Sequence, residues 1–191
     1  MRKNMNIADA TKRNLIAAFW TLYKEKKIEK ITIKQITDLA GYNRSTFYEY
    51  FIDIYEVLET VENTVLEYIK RNVVVKRMVL EGDKYTIHKA ARMYEEYGEY
   101  MSVLLQEGKN PEFIRKLKNI YKPAIYSMFS IPKENNHRYE LILEFAFSAI
   151  INSFNYWYEH RDIMHADEFI IAMRSLLSNG ILSEIKQIQG K

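Results

Sequence analysis

The stretch TIKQITDLAGYNRSTFYEYF at residues 32–51 leaves this chain few ways to fold. Thr32 is followed three residues later by Gln35, a capping-box arrangement that opens a helix. Ile33, Ile36, Leu39 and Ala40 recur at helical spacing and predict one inward face. Gly41 comes next, where a left-handed residue stops a helix without strain. Tyr42 is suited to fill the space between two helices, and Asn43 is a favourable N-cap for the second. That second helix carries Arg44, Ser45, Thr46, Tyr48 and Tyr50 as polar or amphipathic groups, with Phe47 and Phe51 as inward anchors. A short polar helix held against another by a glycine turn is a helix-turn-helix, which offers its second helix to the major groove of DNA.

Composition narrows the rest. The chain has 191 residues, 48% of them hydrophobic, with three Pro and six Gly, which favours long helices and a sizeable core. Cysteine is absent, so disulfides, Cys-based zinc sites and thiol nucleophiles are excluded. The charged start MRKNMNIADATKR does not read as a secretory signal, and no segment approaches the ~20 apolar residues of a membrane span. The expectation is a cytoplasmic protein with no membrane contact. Residues 1–54 hold ten Lys/Arg against six Asp/Glu, a surplus of +4; residues 55–191 hold eighteen against nineteen, or −1. The basic excess sits with the helix-turn-helix, as phosphate binding requires.

Along the chain, residues 8–27 read as a first helix with Leu15, Ile16, Phe19, Trp20 and Tyr23 in a stripe. A fourth helix is expected from Ile54 to about Leu80, ended by EGDK at 81–84. Residues 85–106 are periodic with an interruption expected near Gly98, and EGKNP at 107–111 is a turn whose Pro111 suits the first position of the next helix. Pro123 kinks or splits that helix, and IPKENN at 131–136 is a loop. Residues 137–160 form a strongly apolar helix, and 166–179 a last long one stopped by Asn179-Gly180. The fold class expected is all-α, with a helix-turn-helix DNA-binding domain over 1–54 and a helical domain over 55–191.

These features resemble the DNA-binding domain of the tetracycline-repressor-like (TetR) family. The resemblance rests on AFW at 18–20, Thr32, AG at 40–41, TFY at 46–48, YF at 50–51 and VLETVE at 57–62, in the family's order, and covers residues 8–65. One position departs: the family usually has Lys three residues past the Phe, where this chain has Ile54. Looser similarity runs through YMSVLLQEGKNPEFIRKLKNIYK at 100–122 and FNYWYEHR at 154–161. The resemblance implies a homodimeric transcriptional regulator, expected as a repressor, that binds double-stranded DNA at a pseudo-palindromic operator and is released by a small, largely apolar effector. A co-regulator acting through protein contacts and a ligand-sequestering protein without DNA binding are the alternatives.

Site residues follow. Arg44, Ser45 and Thr46 stand at the exposed start of the recognition helix, where Arg reads guanine edges and Thr hydrogen-bonds bases or meets a thymine methyl. The plainer alternative is that they only cap the helix with Asn43. Tyr48 and Tyr50 match family positions whose hydroxyls hold phosphate oxygens, although Tyr50 could instead pack on the fourth helix. Thr32 and Lys34 lie at a helix N-terminus that favours a phosphate. For a ligand pocket, Met93, Tyr97, Met101, Tyr121, Tyr126, Phe147 and Phe154 are candidates, although any one of them at helical spacing more often belongs to ordinary core. Few charges interrupt this region, so a neutral or weakly charged effector is expected. For a two-fold four-helix dimer interface, Leu143, Phe147, Ile150, Ile151, Phe154, Ile170, Met173 and Leu177 are candidates. Glu159, His160, Asp162 and His165 lack the spacing of a metal-binding helix. No catalytic constellation, cofactor or metal site is expected, and hence no enzyme.

Overall fold

The capping and turn signals of residues 32–51 all take the form that their chemistry dictates. In the computed structural model, which describes residues 2–72, 83–131 and 137–188, every regular element is helical among the described residues. The elements are α1 (Arg2–Glu25), a short 3-10 turn (Ile28–Lys30), α2 (Ile33–Ala40), α3 (Arg44–Tyr50), α4 (Ile54–Asn72), α5 (Lys84–Leu104), α6 (Pro111–Phe129), α7 (His137–Glu159), α8 (Ala166–Leu177) and α9 (Ser183–Ile188). They form two compact units, Met1–Thr64 and Val65–Lys191, with the division falling inside α4. The expected run of α4 from 73 to Leu80, the start of the EGDK break and loop residues 132–136 lie outside the described residues.

In the first unit, α2 opens on a complete capping box between Thr32 and Gln35 and ends at Gly41, whose φ of 75° is left-handed. Tyr42 turns back so that its N–H donates to the Thr37 carbonyl at 2.9 Å, and its hydroxyl accepts from Asn14 of α1 at 3.1 Å. Leu15, Phe19, Ile36, Phe47 and Val57 are fully buried. Leu39 departs from the expected inward face and is 54% exposed. At about 100° per residue, Thr37 and not Leu39 is centred among Ile33, Ile36 and Ala40. Thr37 can take that place because its hydroxyl donates to the Ile33 carbonyl at 3.0 Å, leaving no buried polar group unpaired.

In the second unit, Asp83 caps α5 and Asn110 caps α6, with Pro111 in the first turn. α8 packs on α5 and α7. An aromatic cluster holds them: the Tyr94 ring lies 5.0 Å from Phe154, and Trp157 stacks on Phe169 at 4.8 Å. Trp157 also donates from Nε1 to the Met164 carbonyl at 2.8 Å, which fixes the α7–α8 connection.

Two expectations are corrected here, at Gly98 and at Asn179-Gly180, and at Pro123 the split is excluded. Gly98 does not interrupt α5, which runs unbroken through it. A Cβ at Gly98 would stand 2.7 Å from Cε2 of Tyr158, so glycine serves close approach to α7 and not a turn. Pro123 lies inside an undivided α6. Asn179-Gly180 does not stop the chain's helical course, because a π-type turn over Ser178–Leu182 carries it into α9. Gly180 is not left-handed, and Ile185 beyond it is buried with Ile131, Tyr139 and Ile142, so tertiary burial overrides the local stop.

Gly98→Ala is expected to destabilise the protein by about 1–3 kcal/mol through overpacking, despite alanine's better helix propensity. Urea denaturation checks this, and a gain in stability would mean that the Tyr158 contact yields freely.

Candidate nucleic-acid interface and internal cavity

α3 is only seven residues long, too short to persist alone. It is held by buried Phe47 and Phe51 beneath and by Asn43 at its start. The Asn43 Oδ1 accepts from the Thr46 N–H at 2.8 Å, from the Thr46 hydroxyl at 3.0 Å and from the Ser45 hydroxyl at 2.6 Å. With those protons committed inward, both hydroxyls keep lone pairs turned to a partner. Arg44, Ser45 and Tyr48 are exposed, and Thr46 and Tyr50 are partly buried. Arg44 donates from Nη2 to the Tyr48 hydroxyl at 3.3 Å, so these two lie one turn apart on one side of α3. Exposed Thr32 and Lys34 flank the start of α2; Lys34 comes within 3.9 Å of Asp38, a surface pair that holds it only weakly. Lys12 sits over the Phe51 ring, 5.3 Å from its centre. The surface sets donors from Arg44, Tyr48 and Lys34 beside acceptors from Ser45 and Thr46 on a short helix, which suits phosphate oxygens and base edges.

The start of α4 is different. Ile54 stands where the resemblance puts a Lys, and Asp53 Oδ1 accepts from the N–H groups of Tyr55 and Glu56, each at 2.9 Å. Glu56 accepts from the Ile52 N–H at 2.5 Å. Two carboxylates and occupied amides leave this helix end poorly suited to a phosphate.

The second unit encloses a cavity of about 150 Å³. Of the residues expected around a pocket, Met93, Met101, Tyr121, Phe147 and Phe154 line it. Tyr97 does not: its ring packs 4.3 Å from that of Tyr68. Nor does Tyr126, whose hydroxyl donates to Glu140, a carboxylate also held by Lys122. That pairing, Lys122 first, holds the Glu140 carboxyl below the usual range. Sequence reasoning missed Ile69, Tyr94, Leu105, Leu117 and Ile125 in the wall. Tyr94 at 93+1 carried a usable signal, since it shares a helix face with Met101 one heptad on. Burial pushes the Tyr94 hydroxyl up to about 12 and raises that of Tyr121 as well, so both are neutral donors.

The residues expected at a dimer interface turn mainly inward. Leu143, Phe147, Ile151, Phe154 and Ile170 are buried in the protomer itself, and Ile150, Met173 and Leu177 are partly buried around cavities. α7 carries one polar stripe, Glu140, Glu144, Ser148 and Asn152 at four-residue spacing, with apolar residues at most other positions, so periodicity did not single out one buried face. The outward side carries Leu141, Phe145 and Tyr156, at 70%, 65% and 68% exposure, and on α8 Ile171 and Leu176 are exposed too. Among the described residues no cluster of His, Asp or Glu could hold a metal ion, and no helix is long and apolar enough to cross a membrane.

No protein-family model matches the chain, and no curated protein sequence does. Solved structures do share its fold. It is similar to a tetR-family transcriptional regulator from Streptomyces coelicolor, at 16% identity and a TM-score of 0.60, over 95% of this chain and 89% of that one. It is also similar to a TetR transcriptional regulator from Streptococcus agalactiae 2603V, at 19% identity and a TM-score of 0.60, over 92% of this chain and 98% of that one. The chain thus has the all-α fold of TetR-family transcriptional regulators.

Asn43→Ala is expected to cost about 1 kcal/mol of stability, within the ~0.5–2 of a lost N-cap, with Asn43→Asp near wild type. Chemical denaturation measures this; an unchanged alanine variant would show that the cap does not hold α3.

Proposed function

We propose that this chain is a cytoplasmic, sequence-specific DNA-binding transcriptional regulator. It acts as a homodimer and, as a repressor, is released from a pseudo-palindromic operator by a small, largely apolar effector. The observation that carries the reading is the polar surface of α3: exposed Arg44, Ser45 and Tyr48 on a helix anchored by fully buried Phe47. On this reading α3 enters the major groove. Arg44, Ser45 and Thr46 read bases, while Tyr48, Tyr50, Thr32 and Lys34 hold phosphates. Asn43 takes part by positioning Ser45 and Thr46. The two copies of α3 in a dimer meet half-sites one helical turn apart, ~34–36 Å. The effector occupies the cavity of the second unit. α4 contributes residues to both units and lends Ile69 to the cavity wall, which supports coupling between ligand and operator. Such coupling requires that the ligand favour one of two states, and it is reciprocal.

The carboxylates at the start of α4 favour one second reading, a co-regulator that keeps the fold and acts through protein contacts. Operator binding separates the two. Arg44→Ala and Thr46→Ala are expected to relax base preference at a cost of roughly 1–3 kcal/mol, whereas Tyr48→Phe weakens all sequences evenly. Fluorescence anisotropy on matched and scrambled duplexes across a salt series measures both. A wild-type protein without salt-dependent DNA binding would favour the co-regulator.

The dimer reading draws on the outward apolar stripe of α7 and α8. Such a stripe on a monomer would leave an unusually large apolar patch in water. The double variant Phe145→Glu, Leu176→Glu should weaken association by about 30-fold or more while leaving helix content intact. Light scattering across micromolar concentrations tests it, and a monomeric wild type would defeat the reading.

A further inference from the structure

A smaller space of about 60 Å³ adjoins the main cavity. The two share Tyr94, Ile150 and Leu177 in their walls, and the smaller adds Arg174 and Ser178. Among the described residues that line either space, Arg174 carries the only charge. Its Nε is shielded from solvent and has no hydrogen-bond partner, and among the described residues its side chain meets no carboxylate. A guanidinium has donors and no acceptor, so the unmet N–H asks for an acceptor. Buried donors are almost always satisfied, and an exception asks for a group that the protein itself does not supply. Every neighbouring polar group suits the same kind of partner. The Tyr94 hydroxyl, raised to about 12 by burial, stays a proton donor at neutral pH, and Ser178 adds a second hydroxyl. No carboxylate in either wall would repel an anion or hold a cation.

We propose that the cavity ligand is an organic monocarboxylate, with its carboxylate on the guanidinium of Arg174 beside Tyr94 and its hydrocarbon body among Ile150, Phe154 and Leu177. This rests on the effector reading above and narrows the neutral or weakly charged molecule expected from the sequence. A carboxylate matches the guanidinium's planar fork. A phosphate would bring a further charge into an apolar wall with nothing to pair it. The space sets the size. An apolar cavity of the main one's volume, about 150 Å³, accommodates one benzene ring. With the adjoining space for the head group, a body of about six or seven carbons fits.

Calorimetric titration of the full chain at neutral pH with octanoate, 1-octanol and octylamine tests the proposal. Octanoate should bind about tenfold or more tighter than octanol, with octylamine weakest. In Arg174→Met, octanoate should fall to within about threefold of octanol, while octanol binding stays within about threefold of wild type. Arg174→Lys, which keeps the charge without the fork, should retain part of the preference. Octanol binding wild type as tightly as octanoate would overturn the proposal and leave an apolar effector standing. No binding by any of the three up to about millimolar concentration would overturn both readings. An Arg174→Met protein that keeps its octanoate preference but loses association in light scattering would assign Arg174 to a contact between copies, and would overturn the proposal.

Discussion

Everything outward-facing on α3 depends on one burial. Phe47 is fully enclosed, and Phe51 is nearly so. Their rings lie 5.7 Å apart under a helix of seven residues. Such a helix has too few internal hydrogen bonds to repay its own nucleation. Its orientation is therefore a tertiary property: Phe47 sets which side is inward, Asn43 sets where it begins, and left-handed Gly41 sets the angle of entry. Arg44, Ser45 and Tyr48 face out because nothing on that side is needed for packing.

This division explains what could be read in the sequence. The capping box, the glycine stop, the Asn43 cap and the Pro111 start are local, decided within a few residues by backbone chemistry, and the all-helical fold followed from them. The failures lie where distant contacts decide. Gly98 looks like a break, but it is where the Tyr158 ring comes against α5. Gly180 looks like a stop, but burial of Ile185 carries the chain on. Leu39 looks inward, but Thr37 meets its own polar need and takes the place. On α7 Leu141 and Phe145 flank the polar stripe of Glu140, Glu144 and Ser148, so their exposure was legible only from packing. The exposure of Arg44, Ser45 and Tyr48 was legible from the positions of Phe47 and Phe51. The cavity was legible in five positions, because Met and aromatic enrichment marks a region without marking which side chain reaches inside.

The second unit tolerates two arrangements that a purely structural core would not keep. It holds an apolar cavity of about 150 Å³. It also holds a guanidinium donor without a partner at the edge of that space. Both are relieved by the same kind of molecule, one with an apolar body and an anionic head. On the proposed reading, the free energy released by filling them is what a ligand can spend on shifting the protein between DNA-bound and free states.

Selection of bound duplexes from a random DNA pool, with unmodified protein at low and physiological salt, tests the central claim most directly. The account predicts enrichment of an inverted repeat whose half-sites lie about one helical turn apart, ~34–36 Å, with retention falling steeply as salt rises. A pool that emerges unenriched at both salt concentrations would contradict it.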